Sequence, residues 1–154
     1  MTQEIKLTTD QMRLMSLFQN VTHATARDCI EDEKQNRVIF VVNSGKMGLA
    51  IGKGGSNIKT LQNIVKKNVE LVEFDEDPAK FLKTMLNPKL VSEVKLNKRD
   101  DGSLQAIVIV DPRKKGIVVG REGRNAEKAR LLAKRYFGIT SVLISNPEKT
   151  TLEW

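Results

Sequence analysis

Histidine and cysteine are almost absent from this sequence: His23 and Cys29 stand alone among 154 residues. A lone thiol cannot close an internal disulfide, and the two together cannot complete a four-ligand structural zinc site. Both are therefore expected to be packing or surface residues, and no metal or other cofactor is expected. No apolar run approaches the roughly 18 residues of a membrane-spanning helix. The opening MTQEIKLTTDQMRL lacks the basic head and apolar stretch of a secretory leader. A cytoplasmic location is expected, with no membrane partner. Hydrophobic residues make up 40% and charged residues 29%, a balance that excludes wholesale disorder and suits one ordinary domain or two small ones.

Negative charge is in deficit. The formal charge is +7, which favours a polyanionic partner, and its distribution is more informative than its total. Residues 1–75 carry net +1 and residues 76–154 net +6, while the segment from Arg113 to Arg135 alone is +7. In the first half, Lys46, Lys53, Lys59, Lys66 and Lys67 share a stretch with no acid, and Asp28, Glu31, Asp32 and Glu33 gather elsewhere. Positive charge thus collects around two glycine-containing stretches.

Those stretches belong to an internal repeat. A shift of 68 residues places Gly48, Ile51, Gly52, Gly55 and Asn57 on Gly116, Val119, Gly120, Gly123 and Asn125. The same shift sets Val38–Val42 on Ala106–Val110, and Leu14, Leu17 and Phe18 on Leu82, Met85 and Leu86. Two copies of one fold are expected, over residues 1–75 and 76–154, joined by the short acidic link DEDP as a rigid or semi-rigid tandem. Periodicity in the first copy predicts a helix from an Asp10 cap to Gln19, then strands near Val21–Ile30 and Arg37–Val42. A short helix at Lys46–Ile51, a second helix reaching Lys67 and the strand VELVEF complete it. The second copy predicts a helix at Pro78–Leu86, strands near Leu90–Asn97 and Leu104–Val110, helices at Arg113–Val119 and Gly123–Phe137, and the strand SVLIS. The order is αββααβ twice, an α+β fold with a three-stranded sheet and helices on one face in each copy. Trp154 is expected to pack.

A lone GxxG is a weak signal, but here GKGG (Gly52–Gly55) and GREG (Gly120–Gly123) recur at equivalent positions between a short and a long helix. Such a loop lets backbone approach a sugar-phosphate chain without an intervening Cβ. The amides opening the following helix favour an anion, and Lys53 and Arg121 supply cations. Nucleotide-hydrolysing chemistry finds no support. Three residues, not four, separate Gly48 from Gly52, and Gly54 rather than Ser or Thr follows Lys53, so there is no Walker A loop. Asn57 occupies the last glycine position of a GxGxxG pattern, and no nucleophile–base constellation appears. The chain is not expected to be an enzyme.

IGKGGSNI (Ile51–Ile58) resembles the IGxxGxxI signature of the KH fold, and VGREGRNA (Val119–Ala126) matches it apart from Ala126. A helix opens each copy and none follows the last strand, an order similar to the type II KH fold. Two such domains in tandem, over about residues 5 to 146, resemble the archaeal NusA-type transcription factors. That likeness implies a monomer binding single-stranded RNA in transcription termination, antitermination or elongation. KH loops clamp the backbone of about four nucleotides while bases lie in an apolar groove. The resemblance assigns backbone contact to Gly52, Lys53, Gly54 and Gly55, and to Gly120, Arg121, Glu122 and Gly123. Ile51, Ile58 and Val119 are assigned to the groove floors. Ser56, Asn57, Lys59, Arg124 and Asn125 are further RNA-binding candidates, the asparagines equally readable as local hydrogen-bonding residues. Lys46, Lys59, Arg113, Lys114 and Lys115 are expected to add general attraction rather than specific contacts.

Two departures bear on this. Glu122 sets a carboxylate inside the second loop, where it repels phosphate unless it turns toward Arg121 or Arg124. Bacterial NusA-type proteins carry a polymerase-contacting N-terminal domain and an S1 domain, and 154 residues accommodate neither. Contact with RNA polymerase or other transcription factors therefore rests on the resemblance alone. The alternatives are a ribosome-associated or general RNA chaperone, and a protein-interaction module retaining a KH scaffold. At 5%, aromatics are too few for base-stacking platforms of the RRM or OB kind.

Overall fold

The computed structural model describes residues 6–147, so the expected packing of Trp154 lies outside the described residues. They divide into two compact units, Lys6–Asp75 and the residues from Glu76 onward.

In the first unit, α1 (Thr9–Thr22) is capped by Thr8 rather than Asp10. The Gln11 amide donates to Thr8 Oγ1 at 3.1 Å and the Thr8 amide donates to Gln11 Oε1 at 2.9 Å, a reciprocal box that satisfies two end amides. The strand expected from Val21 starts instead at Ala26. Val21 and Thr22 favour strands by propensity, yet they complete α1. The Thr22 hydroxyl donates to the Phe18 carbonyl at 2.8 Å, and His23, at φ 63, stops the helix in the left-handed region.

A mixed sheet follows, formed by β1 (Ala26–Asp32), β2 (Arg37–Val42) and β3 (Asn68–Glu73), with β2 central, antiparallel to β1 and parallel to β3. Parallel neighbours need a crossover. Here it consists of α2 (Met47–Ile51), one 3₁₀ turn at Lys53–Gly55 and α3 (Ser56–Val65). α3 stops short of Lys67 because Lys66 turns left-handed at φ 61. Val38, Phe40 and Val42 alternate onto the helical side, where they join Phe18, Ala50 and Leu61 in the core. Phe18 and Phe40 stack with centroids 4.6 Å apart, an arrangement that adds directional attraction to burial. Cys29 is buried in this core.

The second unit repeats the order with α4 (Pro78–Leu86), β4 (Val91–Lys98), β5 (Leu104–Val110), α5 (Lys115–Val119), α6 (Arg124–Phe137) and β6 (Ile139–Ser145). Pro78 occupies the first turn of α4 and Asp77 caps it, accepting from the Ala79 amide at 3.0 Å. β5 is central, antiparallel to β4 and parallel to β6. The helix expected from Arg113 is two pieces: Asp111 caps a 3₁₀ turn at Pro112–Lys114, and α5 follows. Aromatic weight has moved to Phe81, which meets Tyr136 and Phe137 edge-on at 5.8 and 5.7 Å. Ala126 is buried where Ile58 is only partly so.

Candidate nucleic-acid interface

The glycine loops are built on the same backbone. Gly52 (φ 75, ψ 169) ends α2 and Gly120 (φ 84, ψ 166) ends α5, a region of backbone space open essentially to glycine alone. Space is closed there too. A Cβ on Gly52 would lie 2.8 Å from Asn57 Cγ, and one on Gly120 would lie 2.8 Å from Asn125 Nδ2. Gly55 and Gly123 follow in the left-handed region and cap α3 and α6 without any side-chain hydrogen bond. Elsewhere the long helices have side-chain caps, Thr8 for α1 and Asp77 for α4. At the loops no side chain takes the helix-opening amides: those of Ser56 and Arg124 donate to the Lys53 and Arg121 carbonyls of the preceding turn, and each helix begins without a side-chain acceptor at its positive dipole end.

Asn57 is committed to the scaffold: its Nδ2 donates to the Leu49 carbonyl at 3.0 Å, tying the start of α3 to the end of α2. Of its two readings, local bonding is the one visible in the geometry. The Asn125 side chain packs beneath Gly120 in the same way.

Lys53, Gly54, Ser56 and Lys59 are exposed in the first loop region, as are Arg121 and Glu122 in the second. Ile51, Gly52, Gly55, Asn57 and Ile58 are half-buried, as are Val119, Gly120, Gly123, Arg124 and Asn125. The loops bring their expected residues together in each unit. Arg113 differs from Lys53 and Arg121, because Asp111 holds it at 3.0 Å through Nη2 and 3.3 Å through Nε. That pairing keeps the Asp111 carboxyl below the usual carboxylate range and raises the Arg113 guanidinium. Glu122 makes no ion pair with either neighbouring arginine or with any other described residue.

Two apolar residues escaped the sequence reading. Leu49 on α2 and Ile117 on α5 are 50% and 60% exposed, and the 68-residue shift makes them equivalent. Recurrence of an aliphatic residue at one helical position looks like core patterning; only the fold reveals that both reach solvent beside a loop. Among the described residues, no group of His, Cys, Asp or Glu is placed to hold a metal, and no helix is long and apolar enough to cross a membrane.

Comparison with known proteins places this geometry. The KH-domain family matches residues 13–99, which include the whole first loop and end just past β4. The probable transcription termination protein NusA of Halobacterium salinarum is 35% identical over 92% of this chain and 99% of its own length. Its counterpart in Methanocaldococcus jannaschii is 30% identical over 92% of this chain and 75% of its own. The crystal structure of APE1850 superposes with a TM-score of 0.82 at 36% identity, over 90% of this chain and 99% of that one. Likeness of both sequence and fold over nearly the full length shows that this chain belongs to the archaeal NusA-type family of KH-domain proteins.

Proposed function

We propose that the chain binds single-stranded RNA and acts in transcription termination or antitermination. It does so through two tandem type II KH domains, at 1–75 and 76–154, in a monomer. The observation that carries this is the duplicated loop: glycine-only backbone at Gly52 and Gly120 heading a helix with no side-chain cap, with Lys53 and Arg121 exposed and making no ion pair among the described residues. A phosphate settles where amide dipoles point outward, no Cβ blocks approach and a cation lies alongside. Gly52, Lys53, Gly54 and Gly55 clamp one stretch of backbone, and Gly120, Arg121 and Gly123 another. Ile51, Ile58 and Val119 line the grooves, and Leu49 and Ile117 offer further apolar area to base faces. The names carried by the archaeal relatives support the transcriptional role, with RNA polymerase and other transcription factors as the partners it brings into range. Binding requires no covalent chemistry, and the chain is read as a non-enzyme.

The double variant Lys53→Asp, Gly54→Asp tests the first loop. Both positions are exposed and a Cβ at Gly54 meets nothing within 4 Å, so the cost to folding is the left-handed penalty of about 1 kcal/mol at position 54, and circular dichroism checks that the fold is kept. Replacing one cation by two anions beside a phosphate should weaken single-stranded RNA binding by about tenfold or more in a fluorescence titration. Unchanged affinity would remove this loop from the site.

A further inference from the structure

The two loops differ at one position that the fold renders conspicuous. Gly54 and Glu122 occupy the same left-handed backbone, at φ 62, ψ 22 and φ 56, ψ 27. Glycine adopts it without penalty, whereas a side chain crowds the following carbonyl. The second loop therefore carries a residue that is strained where glycine would not be, and strain of this kind collects at functional positions. Crowding does not force the choice, since a Cβ at Gly54 meets nothing within 4 Å.

The carboxylate is also uncompensated. Glu122 is exposed and its side chain makes no ion pair or hydrogen bond among the described residues, although Arg121 precedes it and Arg124 follows two positions later. Between their outer glycines, the first loop holds one cation and no acid, and the second holds one of each. An anion arriving at the start of α6 meets a loop whose own charge sums to zero, in the unit with the larger overall positive charge.

From this, resting on the RNA-binding reading above, we infer that Glu122 is a specificity-setting residue that ranks the two modules. Its carboxylate weakens the phosphate grip of the second loop, so the first loop anchors the strand. The second module then holds RNA chiefly through its apolar groove and the surrounding basic residues. The strand can leave the second module while still held at the first.

The test titrates the full chain with a single-stranded RNA oligonucleotide of about twelve nucleotides, longer than the roughly four that one KH loop holds. Affinity is read by fluorescence, and the backbone amides of Gly52–Asn57 and Gly120–Asn125 are followed by NMR. Glu122→Gln keeps the side chain and its strain and removes the charge; Glu122→Gly removes both. Each should tighten binding about three- to tenfold at low salt, as expected for lifting one like charge a few ångströms from a phosphate in a water-rich setting. The gain should fade as salt screens it. The amides of the second loop should respond at lower RNA concentration than in the parent and reach larger shifts at saturation, with the saturated shifts of the first loop unchanged.

Tightening by Gly alone would assign the effect to loop stiffness and overturn the inference, and weakening by Gln would make the carboxylate itself an RNA contact and overturn it equally. No change in either variant, while the Lys53→Asp, Gly54→Asp chain still loses affinity, would sink the ranking and leave RNA binding intact. A parent chain that binds no single-stranded RNA would remove the RNA-binding reading, and the ranking with it.

Discussion

Gly52 and Gly120 hold nearly the same backbone angles, each above an asparagine side chain that a Cβ would strike. Two residues on, the loops part: glycine in the first unit, glutamate in the second. The strand ends farther along the repeat diverge more widely. Arg37, fully buried at the start of β2, is held by Asp32 at 2.8 Å and Glu70 at 3.2 Å. The 68-residue shift places Gln105 where the first unit has Arg37, and the strand register, Ile39 beside Glu70 and Ile107 beside Leu143, places Leu143 where it has Glu70, so that ion-pair cluster has no counterpart. Loop shape, set by steric exclusion, has survived duplication, whereas charge has been free to change. Steric exclusion closes a backbone region outright, while an exposed charge such as Glu122 shifts affinity by small steps and a buried one such as Arg37 is tolerated only together with its partners.

Breaking the cluster should give the largest effect. Arg37→Ala leaves two largely buried carboxylates facing each other and should cost about 3 kcal/mol. Gln105→Ala at the equivalent place should cost less than about 1 kcal/mol. Urea unfolding of the full chain, followed by residue-resolved hydrogen exchange to separate the units, makes the measurement. Equal losses would show that the cluster contributes nothing beyond an ordinary side chain at that site. One point already limits its strength: Arg37 Nη2 is buried with no hydrogen-bond partner among the described residues, a desolvation cost that offsets part of the gain.

The loops come next in size. Gly52→Ala and Gly120→Ala combine a backbone region closed to side chains with a steric clash, and each should cost about 2–3 kcal/mol. Gly120→Ala should be the worse of the pair. Its Cβ also meets the Asn125 backbone nitrogen at 3.1 Å, while the three nearest atoms at Gly52 all belong to side chains. Gly54→Ala, with no atom within 4 Å, carries only the left-handed penalty of about 1 kcal/mol. If all three proved equal in thermal unfolding, the asparagines beneath the outer glycines would have no part in enforcing them.

Much of this is legible without coordinates, and the repeat explains why. Each copy corrects the other: a single apolar run could be a strand or a buried helical segment, but Val38–Val42 and Ala106–Val110 share a register, with glycines at a fixed distance from both. What periodicity misses are the ends. Val21 and Thr22 read as strand because β-branched propensity is local, whereas the Thr22 hydroxyl bond and the His23 turn that keep them helical depend on the folded chain. Asp10 and Thr8 are both good cap residues, and only the reciprocal bond with Gln11 distinguishes them. Within the site, the residue types are visible but their roles are not. The bond from Asn57 to Leu49 and the solvent exposure of Leu49 and Ile117 arise from the angle between a short helix and a long one, which no spacing encodes.

The smallest effect should come from the link between the central strand and the short helix, where Asn43 in the first unit stands opposite Asp111 in the second. Asn43 Oδ1 accepts from Arg27 Nη1 at 3.1 Å and has no proton to lose. Asp111 accepts from the Arg113 guanidinium and from its amide at 2.9 Å, which together hold its carboxyl below the ordinary range. A folded-state value that is depressed means the contribution is present above the unfolded aspartate's value and is lost as pH falls through the folded one. Because water reaches both groups, solvent and salt screen the pair, and global stability should barely move. The Arg113 amide resonance should nonetheless titrate with a midpoint under the ordinary aspartate range in the parent, and not at all in Asp111→Asn, which can still cap the turn. A parent midpoint at or above that range would mean the guanidinium does not hold the carboxylate in solution, and the two links would then differ in composition without differing in acid response.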